Sequence, residues 1–316
     1  MSCPADAWPP FPDRPSTLPA RVFEKAYLLL GLLAGVLYAL AASSLKAAGD
    51  RGMRSTQISL VANIATAIGF LVFVPWTQPP LTPHNWWPSL AAGGLFFAGQ
   101  LFTMLALRRG HASIATPALG SKVVLVALLL AFGFSRPVPA NVWLAAGLAT
   151  VGIAVLSWPT EHLPLARVIP AVGFSVLAAL CFGLFDVMNQ IWSPTIGFGR
   201  LVPPAIFIAA AMSAALTVAT DRRIPRIPAG AGHHLAVGIA LIVSQALIII
   251  WSIGYFHDAA GLNVVYGSRG IWSVLIVWLI GHHFTAHERI ISRAMLIRRL
   301  AAAALIAAAV CLVFIR

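Results

Sequence analysis

The sequence predicts an all-α integral membrane protein of ten transmembrane helices, arranged as two inverted five-helix repeats. Three observations carry that prediction: an apolar composition, a succession of uncharged runs of membrane-spanning length, and short matches between the two halves of the chain. Of the 316 residues, 59% are hydrophobic and 9% charged, against about 25% charged in a soluble domain. Too few polar groups remain to coat a water-facing surface, so lipid is the expected solvent.

Residues 1–22 are polar and Pro-rich, with Pro4, Pro9, Pro10, Pro12, Pro15 and Pro19. They lack the basic-then-apolar form of a secretory signal and read as a disordered tail. Apolar length and breaker residues then give spans near 26–45, 57–75, 89–107, 112–134 and 140–158. The first has no cleavage site behind it, because Lys46 and Asp50 to Arg54 follow, and it is expected to stay in the protein. A Pro-bearing linker at 159–168 precedes five more spans, near 169–190, 201–219, 235–256, 260–281 and 295–315. Each approaches the roughly 20 residues that a helix needs to cross about 30 Å of hydrocarbon. The runs are too long, and too uniformly apolar, for the alternating strands of a barrel.

The halves, 23–158 and 169–316, are related to each other. Ser89 to Gln100 aligns with His234 to Gln245 without a gap, matching Leu90 to Leu235, Ala91 to Ala236, Gly93 to Gly238 and Gln100 to Gln245. About twenty residues later Gly120-Ser121-Lys122 in span 4 matches Gly267-Ser268-Arg269 in span 9, each opening an apolar run. The last spans of the halves, Leu144 to Leu156 and Leu300 to Leu312, are both rich in small residues, as closely packed helices in lipid are. A five-span unit is odd, so the second must enter the membrane from the opposite side. Such inverted repeats are common in secondary transporters.

The net charge of +12 does not point to nucleic acid, because the basic residues stand at the ends of apolar runs and form no single patch. Lys and Arg collect in cytoplasmic loops. The odd-numbered loops hold thirteen, from Lys46, Arg51, Arg54, Arg108 and Arg109 to Arg298 and Arg299, against six on the face that carries both tails. This count predicts a multi-pass protein of the cell (inner) membrane with both termini outside the cytoplasm.

Lys122 and Arg269 are the two basic residues deep inside apolar spans. Each costs about 2.5–3.5 kcal/mol on insertion scales, and such groups face a bundle interior or a wet cavity. They can line a substrate cavity, or they can be paired structurally with a carboxylate. Asp186 is the carboxylate deep in a span, with Asn189 and Gln190 on the same helical face. Three roles are open to it: proton coupling, counter-ion to Arg269, or structural acceptor. Gln100 and Gln245 are candidates for substrate contact or for interhelical hydrogen bonding. Tyr266 and Trp272 flank Arg269 at minus three and plus three, where they can supply aromatic walls or plain packing.

Enzymatic chemistry has little footing. Cys3, Cys181 and Cys311 are scattered and read as packing residues. His282, His283 and His287 with Glu288 gather at the end of span 9, where an interfacial location explains them and the first half offers no matching set. No Gly-x-Ser-x-Gly elbow, phosphate loop or cofactor motif occurs. A lipid-modifying enzyme using His233, His234, His282, His283 or Glu288 is the weakest of three readings. A receptor or assembly subunit on a transporter scaffold is the second.

The first reading is a permease. Ten spans in two five-span repeats, with small-residue-rich ends to the halves, resemble the drug/metabolite transporter superfamily and its EamA-like members. The likeness covers nearly the whole chain after residue 25. Its relatives often carry Gly-Glu between spans 4 and 5, where this chain has Phe132-Gly133-Phe134-Ser135-Arg136, so it is a divergent member. They are also drawn with both tails in the cytoplasm, opposite to the charge count. The resemblance implies a midplane cavity for a small organic solute, with Lys122 and Arg269 placed like the phosphate-holding cations of the superfamily's organic-phosphate branches. The expected substrate-binding set is Lys122, Arg269, Gln100, Gln245, Tyr266, Trp272 and Asn189, with Asp186 as coupling or counter-ion residue and no metal or cofactor. The expected partners are a small-molecule solute, membrane lipid and, in the proton-coupling reading of Asp186, a proton.

Overall fold

A computed structural model describes residues 25–74, 86–109, 115, 118–156, 165–220, 227–280 and 293–315. The tail at 1–22 and the His282 to Glu288 group lie outside these residues. Among the described residues all regular structure is helical. That is what lipid demands, because a helix satisfies its backbone N–H and C=O groups within one segment.

The helices are α1 (Leu28–Asp50), α2 (Ser55–Phe70), α3 (Trp87–Arg109), α4 (Lys122–Leu128), α5 (Ala140–Leu156), α6 (Leu165–Ile196), α7 (Phe198–Thr220), α8 (Gly232–Phe256), α9 (Ala259–Tyr266), α10 (Arg269–Ile280) and α11 (Arg293–Phe314). Seven of the described helices are long and apolar enough to cross a membrane, α5 and the Ala118–Gly133 stretch are shorter apolar helices, and α9 and α10 divide one apolar stretch.

Three boundaries differ from expectation for local reasons. The helix α6 begins at Leu165, inside the stretch read as a linker, and runs through Pro170 and Pro194 to Ile196. It stops where Gly197 takes φ +91°, a left-handed conformation that ends helices at little cost only in glycine. After α4 the helix widens over Leu129–Gly133, with Phe134 N–H bonded to Leu129 O at 3.0 Å. The apolar stretch expected at 260–281 breaks at Gly267–Ser268 into α9 and α10.

Packing crosses from one half of the chain to the other. The helix α3 lies along α6, α8 lies along α1, and α5 lies along α11. Small residues permit the approach. A methyl group added at Gly238 would stand 2.6 Å from Leu45 Cδ2, and one added at Gly152 would stand 2.7 Å from Ile306 Cγ1. Lipid tails are as apolar as the side chains, so close van der Waals contact and hydrogen bonds must hold such helices together.

The two ends of the described chain meet at one end of the bundle. Lys25 Nζ donates to Val313 O, and Asn141 Nδ2 donates to Leu312 O and Ile315 O at 3.0 and 2.9 Å. At the same end Tyr27 stacks on Phe256 with ring centroids 4.6 Å apart.

Candidate functional site

The repeated Gly-Ser-cation triplet is where regular helix is interrupted in both halves. Ser121 forms a turn with its Oγ bonded to Ala118 O at 2.6 Å, and α4 starts at Lys122. Gly267 and Ser268 form the corresponding turn, and α10 starts at Arg269. Each cation therefore stands at the first turn of a half-helix inside the bundle.

Lys122 Nζ lies 2.7 Å from Asp186 Oδ2, with the two side chains 18% and 5% exposed. Asn263 Nδ2, from α9, donates to the same carboxylate oxygen at 2.7 Å and to Ala259 O at 2.8 Å. Phe182, one turn before Asp186, places its ring 5.9 Å from the ammonium. The carboxylate is thus held by a cation from α4 and an amide from α9. A pair so enclosed loses much of its Coulombic gain to desolvation, yet removing one member leaves the other charged and unsolvated.

Arg269 has a different environment. Its guanidinium carbon stands 4.4 Å from the ring centre of Tyr266 and 4.9 Å from that of Tyr38 on α1. The two rings meet edge to face, 6.0 Å apart at 78°. Contacts of this kind are worth about 2 kcal/mol or more when desolvated. Among the described residues no carboxylate stands within 4.0 Å of Arg269, although Asp186 is near enough to act on it electrostatically. Two cations and one anion leave the cluster with a formal charge of +1. The hydroxyl of Ser268 and the indole N–H of Trp272 are buried beside Arg269 with no hydrogen-bond partner among the described residues.

The remaining expected residues divide. Gln100 makes a reciprocal amide pair with Asn63 of α2, at 2.7 and 2.8 Å, and Asn63 also donates to Ser213 of α7 at 3.0 Å. That arrangement is interhelical hydrogen bonding among α2, α3 and α7. Gln245 is 6% exposed and makes no hydrogen bond among the described residues. Asn189 donates to Ile250 O and accepts from Ser193 Oγ, both at 2.7 Å, which ties α6 to α8. Asp186 has Lys122 as its ion-pair partner, where the sequence offered Arg269.

Three members of the cluster were not singled out from the sequence: Tyr38, Phe182 and Asn263. Asn263 had a signal, since an amide in an apolar span needs a partner. Tyr38 and Phe182 had none, because an aromatic residue in an apolar run is ordinarily packing. Outside the spans, Asp258 caps α9 through Gly261 N–H at 2.8 Å and accepts the Tyr27 hydroxyl at 2.6 Å. Next to it His257, half-buried with φ +55°, is held below the usual imidazole range by burial, against an opposing contribution from the Gln190 backbone.

The fold and this interior charge cluster define a multi-pass α-helical membrane protein. Residues 25–158 match the model of the EamA-like transporter family, a likeness that covers the first half of the chain. A crystal structure of another protein, 20% identical, superposes with a TM-score of 0.71 over 92% of this chain and 98% of that one, a likeness of fold alone. No curated protein matches the chain.

Proposed function

We propose that this protein is a secondary permease for a small organic metabolite, anionic or zwitterionic, which it moves by alternating access. The observation that carries the reading is the interior cluster of Lys122, Asp186, Asn263 and Arg269 at the two helix breaks. Charges at that depth are costly in lipid and are tolerable around a polar guest or a wet chamber. Discontinuous helices at the junction of repeats are how many secondary transporters build a midplane site.

The proposed architecture is ten crossings in two inverted repeats, 23–158 and 169–316, in the cell membrane. Exchange of halves supports it, because the α3 to α6 packing is exchanged with α8 to α1 while α5 to α11 maps onto itself. The meeting of Lys25 with Val313 supports both tails on one side. One half rocks against the other about the charged cluster and exposes it to each side in turn. Tyr266, Tyr38 and Trp272 wall the site, and Asp186 is the resident counter-ion of Lys122.

The test is counterflow in liposomes holding the purified chain, loaded in turn with amino acids, sugar phosphates and nucleotide sugars. Exchange of at least one pool, abolished by Arg269→Ala, is expected. A folded protein that exchanges none would overturn the reading and favour a receptor or assembly subunit, in which the Lys122–Asp186 pair serves folding alone.

A further inference from the structure

The two interior cations are not equivalent, and the difference specifies the substrate. Lys122 is occupied. Its ammonium is on Asp186 at 2.7 Å, and the carboxylate, 5% exposed, has Asn263 as its one further partner among the described residues. To draw Lys122 onto a substrate would strip a buried carboxylate of its cation, a loss greater than one new hydrogen bond returns.

Arg269 is not so committed. Tyr266 and Tyr38 wall two of its sides at 4.4 and 4.9 Å, Tyr266 also engages it through a side-chain hydrogen bond, and no carboxylate contacts it among the described residues. The titratable groups that bear on it are those two tyrosines and Asp186. Gly35 brings α1 so close that a methyl group there would stand 3.4 Å from both Arg269 N and Ser268 Oγ. Ser268 is 4% exposed, and its hydroxyl and the Trp272 indole N–H are buried donors without partners among the described residues. Buried donors are rarely left unpaired in a finished structure. The guanidinium of Arg269, the Ser268 hydroxyl and the Trp272 indole N–H thus all belong to the first turn of α10 and the residue before it, in a cluster whose formal charge is +1.

We infer that Arg269 alone receives the substrate's anionic group, that this group is a single carboxylate, and that Lys122 is the fixed counter-charge of Asp186. The inference rests on the permease reading and narrows it. A guanidinium matches a carboxylate with two parallel hydrogen bonds. One negative charge neutralises the cluster. A phosphate monoester dianion would leave it at −1 in surroundings that penalise uncompensated charge.

The test is calorimetric titration of the purified full chain with three matched probes: benzoate, phenyl phosphate and benzamide. Benzoate is expected to bind at least about tenfold tighter than the other two, and Arg269→Lys, which keeps the charge and loses the fork, is expected to cost about tenfold or more. The double variant Lys122→Gln/Asp186→Asn keeps the cluster at +1 and is expected to hold benzoate within about threefold of wild type. Thermal unfolding of each variant reports folding. Should the double variant not fold, the probe ranking on wild type and on Arg269→Lys decides.

Phenyl phosphate binding as tightly as benzoate would overturn the inference, as would a folded double variant that loses benzoate while Arg269→Lys keeps it. Both outcomes leave the permease reading intact, because that reading is tested separately by counterflow. Failure of all three probes on folded wild type also overturns the inference, and counterflow then decides whether the permease reading falls with it.

Discussion

Tyr27 donates its hydroxyl to Asp258 Oδ2 at 2.6 Å across 231 residues of sequence. The bond joins the first turn leading into α1 to the residue that caps α9, the half-helix carrying Asn263 and Tyr266. It stands at the end of the bundle where the chain termini meet, beside the Tyr27–Phe256 stack. Under alternating access, contacts of this kind must break each time that end opens. Tyr27→Phe keeps the ring stack and removes the bond. Leu262 is 0% exposed, one turn beyond the cap, so a cysteine placed there in a background lacking native cysteines reports opening. Maleimide labelling of that cysteine is expected to rise several-fold in Tyr27→Phe. Unchanged labelling would mean that the bond does not hold this end shut.

The Lys122–Asp186 pair makes a thermodynamic prediction that differs from its transport role. Either single neutralisation, Lys122→Gln or Asp186→Asn, strands a buried charge and is expected to cost about 3–5 kcal/mol, whereas the double variant should return close to wild type. The measurement is unfolding in mixed detergent. Additive losses in the double variant would show that the two charges do not stabilise each other.

How far the sequence speaks is clear from particular residues. The membrane class and the seven long apolar helices followed from apolar length, because insertion depends on hydrophobicity summed over about twenty residues. The Gly-Ser-cation triplets were visible as a repeat, and each marks a break in regular helix. Partner choice was not visible. Asp186 meets Lys122, and not Arg269, because α4 packs against α6, and helix neighbours are set by tertiary packing that no local pattern encodes. Gln100 and Gln245 match in sequence yet differ in structure, since Asn63 serves Gln100 and no counterpart serves Gln245 among the described residues. Tyr38 acquires meaning only when α1 is laid beside α10.

The Asn63–Gln100 pair, which makes no hydrogen bond to Lys122, Asp186 or Arg269 among the described residues, offers a test of scaffolding. Asn63→Leu leaves the Gln100 amide without its reciprocal partner and removes the bond to Ser213. A loss of about 1 kcal/mol is expected, within the range found for polar contacts between membrane helices. The further change Gln100→Leu should recover part of that loss, because it removes the unpaired group. Substrate affinity should move less than threefold in either variant, roughly 0.6 kcal/mol. A larger change in affinity than in stability would restore Gln100 to the substrate site.

His257 supplies a pH dependence with a definite sign. Burial is the larger influence and holds its imidazole below the ordinary value of 6.5, so the folded chain resists a proton that the unfolded chain accepts. Stability from this residue is therefore fully present above about pH 6.5 and declines as pH falls through the lower folded value. The residue sits at φ +55°, where asparagine is also tolerated. His257→Asn should keep the turn between α8 and α9 while removing the titration. The melting temperature of wild type is expected to drop between pH 7 and about pH 5 more steeply than that of the variant. A parallel decline in both proteins over pH 7 to 5 would assign the effect elsewhere.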